Sequence, residues 1–357
     1  MQFSPEFHLA LDCCRAHFAP GAPIAATSVE DVDWNAFLHL ARFHRIQGLV
    51  WNRLSQHPHL ASGVAENLRA EAAEIAGTNL VAAVECAALL RAFSAAGLPI
   101  LFLKGLALGQ LAYGNPALKA AIDIDVLIDP NRLAESARVL EQLGYDPAEP
   151  PSAARLARWH RWKKDSLWVK TGSGTKLDLH TRVTDNPRLL RGLGVHSPQR
   201  QVEVASGISL PTFAPEELFA HLAVHGASSA WFRLKWISDF AAIASVLGPR
   251  GIQVAYDTSL KLGAGRAGAQ ALLLAHRLFG TLSEVPELYI KLRSDHRNRL
   301  LANAALKQVS APWPKEPTQR LGGTLRIHWT QLLLLPGARF GLGELGRQAR
   351  AALIARP

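Results

Sequence analysis

The stretch AIDIDVLID, Ala121 to Asp129, sets acids into a run that otherwise reads as a buried strand. Side chains alternate along a strand, so Asp123 and Asp125 should share one face while Ile122, Ile124 and Val126 line the other. Burying two neighbouring carboxylates without partners would cost on the order of several kcal/mol or more. The pair must face solvent, meet cations, or hold a metal ion, and only the surrounding sequence can choose.

Upstream, a helical pattern ending near Ala96 is stopped by Gly97 and Pro99, and PILFLKG then reads as a short, fully buried strand. LALGQLAYG follows as a helix closed by Gly114. Downstream of the acids, PNRLAESARVLEQLG reads as a helix opened by Pro130 and Asn131. SLWVKTGSGTKLDLHTRV reads as a hairpin turning at Gly172 to Gly174, with Asp178 on a strand face shared with Lys176 and His180. On both sides of this segment the apolar residues recur at three- and four-residue spacing, as in DWNAFLHLARFHRIQGLVWNRL and AGRAGAQALLLAHRLFG. The expected fold is α+β and predominantly α. A small α/β core with a short mixed sheet over 76–212 is flanked by an N-terminal helical region, 1–75, and a C-terminal helical domain, 213–357.

Composition agrees with a helical globular protein: 48% of the 357 residues are hydrophobic and 19% charged, with alanine and leucine dominant. Three cysteines, Cys13, Cys14 and Cys86, offer neither a disulfide framework nor a CxxC pair, which suits a reducing, cytoplasmic setting. The N-terminal MQFSPEFHLALDCC lacks a basic stretch followed by an apolar run, and no uninterrupted apolar segment of membrane-spanning length is expected. A formal net charge of +10 suits polyanionic partners such as nucleotides, nucleic acid or an anionic membrane surface.

A strand ending in Lys104-Gly105, a helix, a strand bearing Asp-x-Asp and a later strand bearing one Asp resemble the DNA polymerase beta-like nucleotidyltransferase superfamily. FLKGLALGQLAYGNPALKAAIDIDVLID with the later LDLHTRV resembles more closely the family of uncharacterised nucleotidyltransferases. Its pattern runs LKG, then Y-G/x-x-P-x-x-R, then DIDLLV, then a DLHW-like strand, and the likeness extends loosely into PEELFAHLAVHGASSAWFRLKWISDF. The resemblance implies Mg²⁺-dependent transfer of a nucleoside monophosphate from an NTP, with ATP the expected nucleotide, to an acceptor that is a small molecule, peptide or protein. It implies that Asp123, Asp125 and Asp178 are catalytic and hold the metal, since Mg²⁺ takes oxygen ligands from carboxylates and substrate phosphates. Lys104 and Gly105 would meet the triphosphate where superfamily members commonly carry Gly-Ser. Lys119 stands where the family usually has Arg, keeping the charge but losing the planar fork.

Other features have plainer readings. In EDVDW a second Asp-x-Asp, Asp31 and Asp33, precedes an amphipathic helix, where Asp33 reads as an N-cap. His221 and His225 have zinc-binding spacing but lack the glutamate of HExxH and a third ligand, so a structural or substrate-contacting role is favoured. The basic segment 155–170 interleaves Arg155, Arg158, Arg161, Lys163, Lys164 and Lys170 with Trp159 and Trp162. It suits an NTP, a single-stranded nucleic acid or a solvated edge alike. Two alternatives therefore stand beside the enzyme: an inactive nucleotide-binding protein acting through a partner, and an RNA-directed nucleotidyltransferase.

Overall fold

The computed structural model describes residues 3–18, 31–57, 60–311, 316 and 323–354. The chain divides into two compact units, one made of Met1–Glu74 with Phe219–Pro357 and the other of Ile75–Leu218.

Local hydrogen bonding sets the first helix starts. α1 (Pro5–Arg15) opens with Ser4 Oγ accepting from the Phe7 N–H and Pro5 in its first turn. α2 (Trp34–His44) opens on Asp33, whose carboxylate accepts from Asn35 N at 2.9 Å and Ala36 N at 3.1 Å, as EDVDW predicts. α3 (Gln47–Leu54) and α4 (Ser62–Ala95) follow. α4 is long and apolar enough to cross a membrane by length and composition, with mean hydropathy 1.4 over its most apolar 18 residues, of which 22% are buried; core helices of soluble proteins pass the same test, and the described residues hold no clear membrane span. Ala83, Cys86, Leu89 and Phe93 of α4 enter a hydrophobic core, and Glu85 between them is ion-paired to Lys170 at 2.8 Å.

Within Ile75–Leu218 the order is β1 (Ile100–Phe102), α5 (Gly105–Tyr113), β2 (Ile124–Ile128), α6 (Leu133–Gln142), β3 (Tyr145–Glu149), α7 (Leu156–Trp159), β4 (Asp165–Lys170) and β5 (Lys176–His180). They form a mixed sheet in the order β1-β2-β5-β4-β3, with β2 and β5 parallel and the other neighbours antiparallel. The β4–β5 hairpin turns through Gly172 and Gly174, both at positive φ. One sheet face carries Ile100, Phe102, Ile124, Val126, Trp168, Leu177 and Leu179 into a core shared with Ala137 and Leu140 of α6. The alternation expected of AIDIDVLID holds only from Ile124 on. β2 begins there, Ile122 before it is 50% exposed, and Leu127 is buried on the other face as well.

Two strand features were absent from the expected layout. β3 carries Pro147 at the sheet edge, where a missing N–H is tolerated. β6 (Gln199–Ala205) and β7 (Ile208–Phe213) form a separate two-stranded hairpin that delivers Val202, Val204 and Leu210 to the same core.

The chain then returns to helices: α8 (Pro215–Ser228), α9 (Leu234–Lys261), α10 (Gly265–Phe279), α11 (Pro286–Ser294), α12 (His296–Val309), α13 (Gly323–Gln331) and α14 (Ala338–Ile354). α9 is broken at Gly248, with φ of 66°, immediately before Pro249, which cannot continue the helical hydrogen bonding. His44 is fully buried, and its Nδ1 accepts from the Leu234 N–H at 3.0 Å. Burial, and then the Arg233 guanidinium, push this imidazole down to about 3.

The unfolded chain therefore binds a proton at His44 more readily than the folded one. The stability contributed by the neutral ring is complete above the ordinary histidine value of about 6.5 and is lost as pH falls from there toward about 3. Thermal denaturation should show a fall in Tm between pH 7.5 and pH 5 that is shallower in His44→Gln; equal slopes would remove His44 from the account.

Candidate active site

The parallel register of β2 and β5 sets Asp125 opposite Asp178, and the antiparallel register of β4 and β5 sets Asp165 opposite His180. Because the alternate residues of these strands are core, the acids and His180 gather on the other sheet face. Asp125 is 8% exposed at its side chain. Its Oδ1 meets Lys104 Nζ at 3.2 Å and accepts from His180 Nε2 at 3.0 Å, leaving Oδ2 outside these two contacts. Burial alone would raise this carboxyl. The Lys104 ammonium and the His180 hydrogen bond outweigh it and hold Asp125 well below the usual carboxylate range.

Asp178 behaves in the opposite sense. Burial, then the charges of Asp125, Asp123 and Asp165, push its carboxyl up to about 7. His180 is lowered by burial and by Lys164, so its ring is neutral where it donates to Asp125, and its buried Nδ1 lies 3.9 Å from Asp165 Oδ2. Asp165 is itself lowered, burial being outweighed by its ion pair with Lys164, and the Lys164 N–H donates to Asp185 at 3.0 Å.

Among the described residues, Asp125, Asp178 and His180 are the group of three able to hold a metal ion, each offering a donor atom within 4.8 Å of the others. The chemistry of this set fits a divalent cation: two facing carboxylates, one of them raised by its neighbours' negative charge, gain from a positive charge placed between them. Asp123 stands one residue before β2 and is close enough for its charge to raise Asp178. Gly105 opens α5 at a φ of 63° with no side-chain cap on the helix start, so its first backbone N–H groups face outward from the turn that carries Lys104. Lys119 is placed in the loop between α5 and β2, 8% exposed, with its carbonyl accepting from Asn79 Nδ2 at 2.8 Å. The groups that lower Asp125 are the Lys104 ammonium, the hydrogen bond from His180 and, further off, Lys164, and Lys164 also acts on Asp178.

The model of the family described as uncharacterised nucleotidyltransferase matches residues 30–280. The chain belongs to this family. It is a nucleotidyltransferase, and the matched region contains the whole Ile75–Leu218 unit. None of the curated proteins compared with the chain matches it.

The candidate site contains residues that the sequence analysis did not single out. Asp165 and Lys164 were legible only as charges within the basic segment, yet both flank His180. Their signal was strand parity: Asp165 opens the strand that turns back to pair with KLDLH. The basic segment is partly consumed by internal pairs, Lys164 with Asp165 and Lys170 with Glu85, while Lys163 lies 6.0 Å above the Trp159 ring. His221 is buried in α8 with its ring 6.3 Å from that of His225, which meets Trp236 edge-on at 5.4 Å.

Nothing lies within 4 Å of where a Cβ would stand on Gly105, so the cost of adding one there is backbone strain alone. Gly105→Ala should lower unfolding stability by about 1–2 kcal/mol, the cost of a left-handed non-glycine residue. Urea denaturation measures it, and a loss well above that range would mean a packing role that the open space does not provide.

Proposed function

We propose that the Ile75–Leu218 unit transfers a nucleoside monophosphate from an NTP to an acceptor, with Mg²⁺ as the metal and ATP as the nucleotide. The observation that carries this reading is the facing of Asp125 and Asp178 across β2 and β5, beside the Lys104-Gly105 turn. Asp123, Asp125 and Asp178 would hold the cation, with His180 fixing Asp125. A divalent ion so held supplies charge stabilisation to phosphoryl oxygens.

The chain's own groups do the rest. The Lys104 ammonium and the N–H groups at the start of α5 receive phosphate oxygens, and Lys119 is the further phosphate-binding cation of this reading. His180 holds Asp125 by its Nε2 hydrogen bond and so fixes the carboxylate plane. Asp178 accepts the proton of the attacking hydroxyl or amine. A bond then forms from the acceptor oxygen or nitrogen to the α-phosphorus, the bond from that phosphorus to the bridging oxygen breaks, and pyrophosphate leaves with the electron pair. The acceptor is a small molecule, peptide or protein. Internal pairing of Lys164 and Lys170 weighs against a long nucleic-acid surface on the basic segment.

Two variants separate the roles. Asp123→Asn with Asp125→Asn should remove metal-dependent ATP binding in calorimetry. Asp178→Asn should largely retain ATP and Mg²⁺ binding, because Asp123 and Asp125 still hold the cation, but lose transfer of label from α-labelled ATP into acceptors of a host lysate, by on the order of 10² or more. Equal ATP binding by the double variant would overturn the metal assignment; wild-type protein that binds ATP and Mg²⁺ but transfers no label would favour the inactive nucleotide-binding reading.

A further inference from the structure

A cavity of about 710 Å³ lies between α6, α7 and the residues that follow β5. That volume is within the roughly 300–1,000 Å³ typical of small-molecule sites. The sheet separates it from the acids. His160, on its wall, is hydrogen-bonded through Nδ1 to Thr181 Oγ1 and through Nε2 to Ser166 Oγ, both at 3.0 Å. Ser166 alternates with Asp165 in β4 and pairs with Leu179, so it lies on the side of Leu177 and Leu179, opposite Asp125, Asp178 and His180.

The lining has two parts. Ala134, Ala137 and Leu156 make an apolar part of the wall, and Arg138, Arg161 and Arg182 line it beside one acid, Glu141. Arg182 donates from one terminal nitrogen to the Lys163 carbonyl at 3.1 Å. Its Nε is buried with no hydrogen-bond acceptor among the described residues. A buried guanidinium N–H without an acceptor is costly, and an oxyanion is the partner that a planar donor fork is shaped to receive. The inner wall adds no competing charge, because burial pushes His160 down to about 4 and keeps the ring neutral.

We propose that this cavity is a second binding site, separate from the carboxylate cluster, for a small molecule with an apolar body and an oxyanionic head, a carboxylate or a phosphate. The apolar body rests on Ala134, Ala137 and Leu156, and the head meets Arg182 with Arg138 or Arg161 at the rim. The site does not depend on the chemistry assigned to the acids.

The test uses the full chain and the fluorescent sulfonate 1-anilinonaphthalene-8-sulfonate, which combines an aromatic body with one anionic head. It should brighten on the wild-type protein and bind at least tenfold more weakly to Arg161→Gln with Arg182→Gln, since a hydrogen bond to a charged group contributes on the order of tenfold or more in affinity. Ala134→Trp, at an exposed helical position on the cavity wall, should block binding while leaving Tm near the wild-type value. Asp178→Asn should bind the probe as wild type does. Octanoate and phenyl phosphate should displace it, at least tenfold better than octanol, and whichever acts at the lower concentration identifies the head group. Failure of the probe to brighten, unchanged binding in Ala134→Trp or in the arginine variant, loss in Asp178→Asn, or displacement by octanol as good as by the anions would each overturn the proposal.

Discussion

A single carboxylate, Asp125, ties the Ile75–Leu218 unit together. It lies on the strand between β1 and β5, and one oxygen takes both the ammonium of Lys104 and the Nε2–H of His180. An ionised carboxylate this buried is tolerated only when paired, and here each partner comes from a neighbouring segment. Lys104 ends the chain's run out of β1, and His180 ends β5. The parallel pairing of β2 with β5 is therefore not merely backbone register: sliding β5 by one residue would turn Leu177 and Leu179 out of the core and carry His180 away from Asp125. Core and site enforce the same alignment.

This arrangement also explains how a chain of formal net charge +10 maintains a concentration of negative charge. Lys104 is committed to Asp125 and Lys164 to Asp165, so the cations nearest the acids are already paired. They neutralise two carboxylates and leave Asp178, whose own carboxyl remains raised, facing what the others leave over. A surplus of basic residues elsewhere acts at longer range, where salt screens it, on any polyanionic substrate approaching the protein.

Much of this was legible in the sequence, for physical reasons that differ by element. The buried strand before Lys104-Gly105, the helix closed by Gly114 and the β4–β5 hairpin each carry local punctuation, a glycine or proline whose backbone preference does not depend on distant contacts. Asp33 could be read as a cap because capping is likewise local. Ile122 could not be placed correctly by parity, because alternation says which residues share a face only once the strand has begun, and the start of β2 is set by its pairing with β1 and β5. The β6–β7 hairpin was present as alternating Val202 and Val204 but lay in a stretch without a chemical motif to draw attention to it. Asp165 and Lys164 were hidden because their importance is a cross-strand relation. The cavity beneath α6 and α7 was out of reach altogether, since its three arginines are spread from Arg138 to Arg182 and meet only through tertiary packing.

Asp125 and Asp178 are the clearest case of environment dividing like residues. Their backbones pair directly, both side chains leave the same face, and each feels burial that would raise its carboxyl. What differs is which neighbours reach each one first. Asp125 sits between Lys104 and His180 and is driven down; Asp178, one strand further from Lys104, meets mainly the charges of Asp125, Asp123 and Asp165 and is driven up. Two such carboxyls cannot both shed their protons freely without a further positive charge between them, so the pair is electrostatically incomplete in a way that a cation relieves. Neutralising Asp178 through a lysine on β5 would have been the simpler structural solution. The chain instead keeps an acid there and pairs its lysines with Asp125 and Asp165, a distribution that suits the cation-dependent phosphoryl site proposed above.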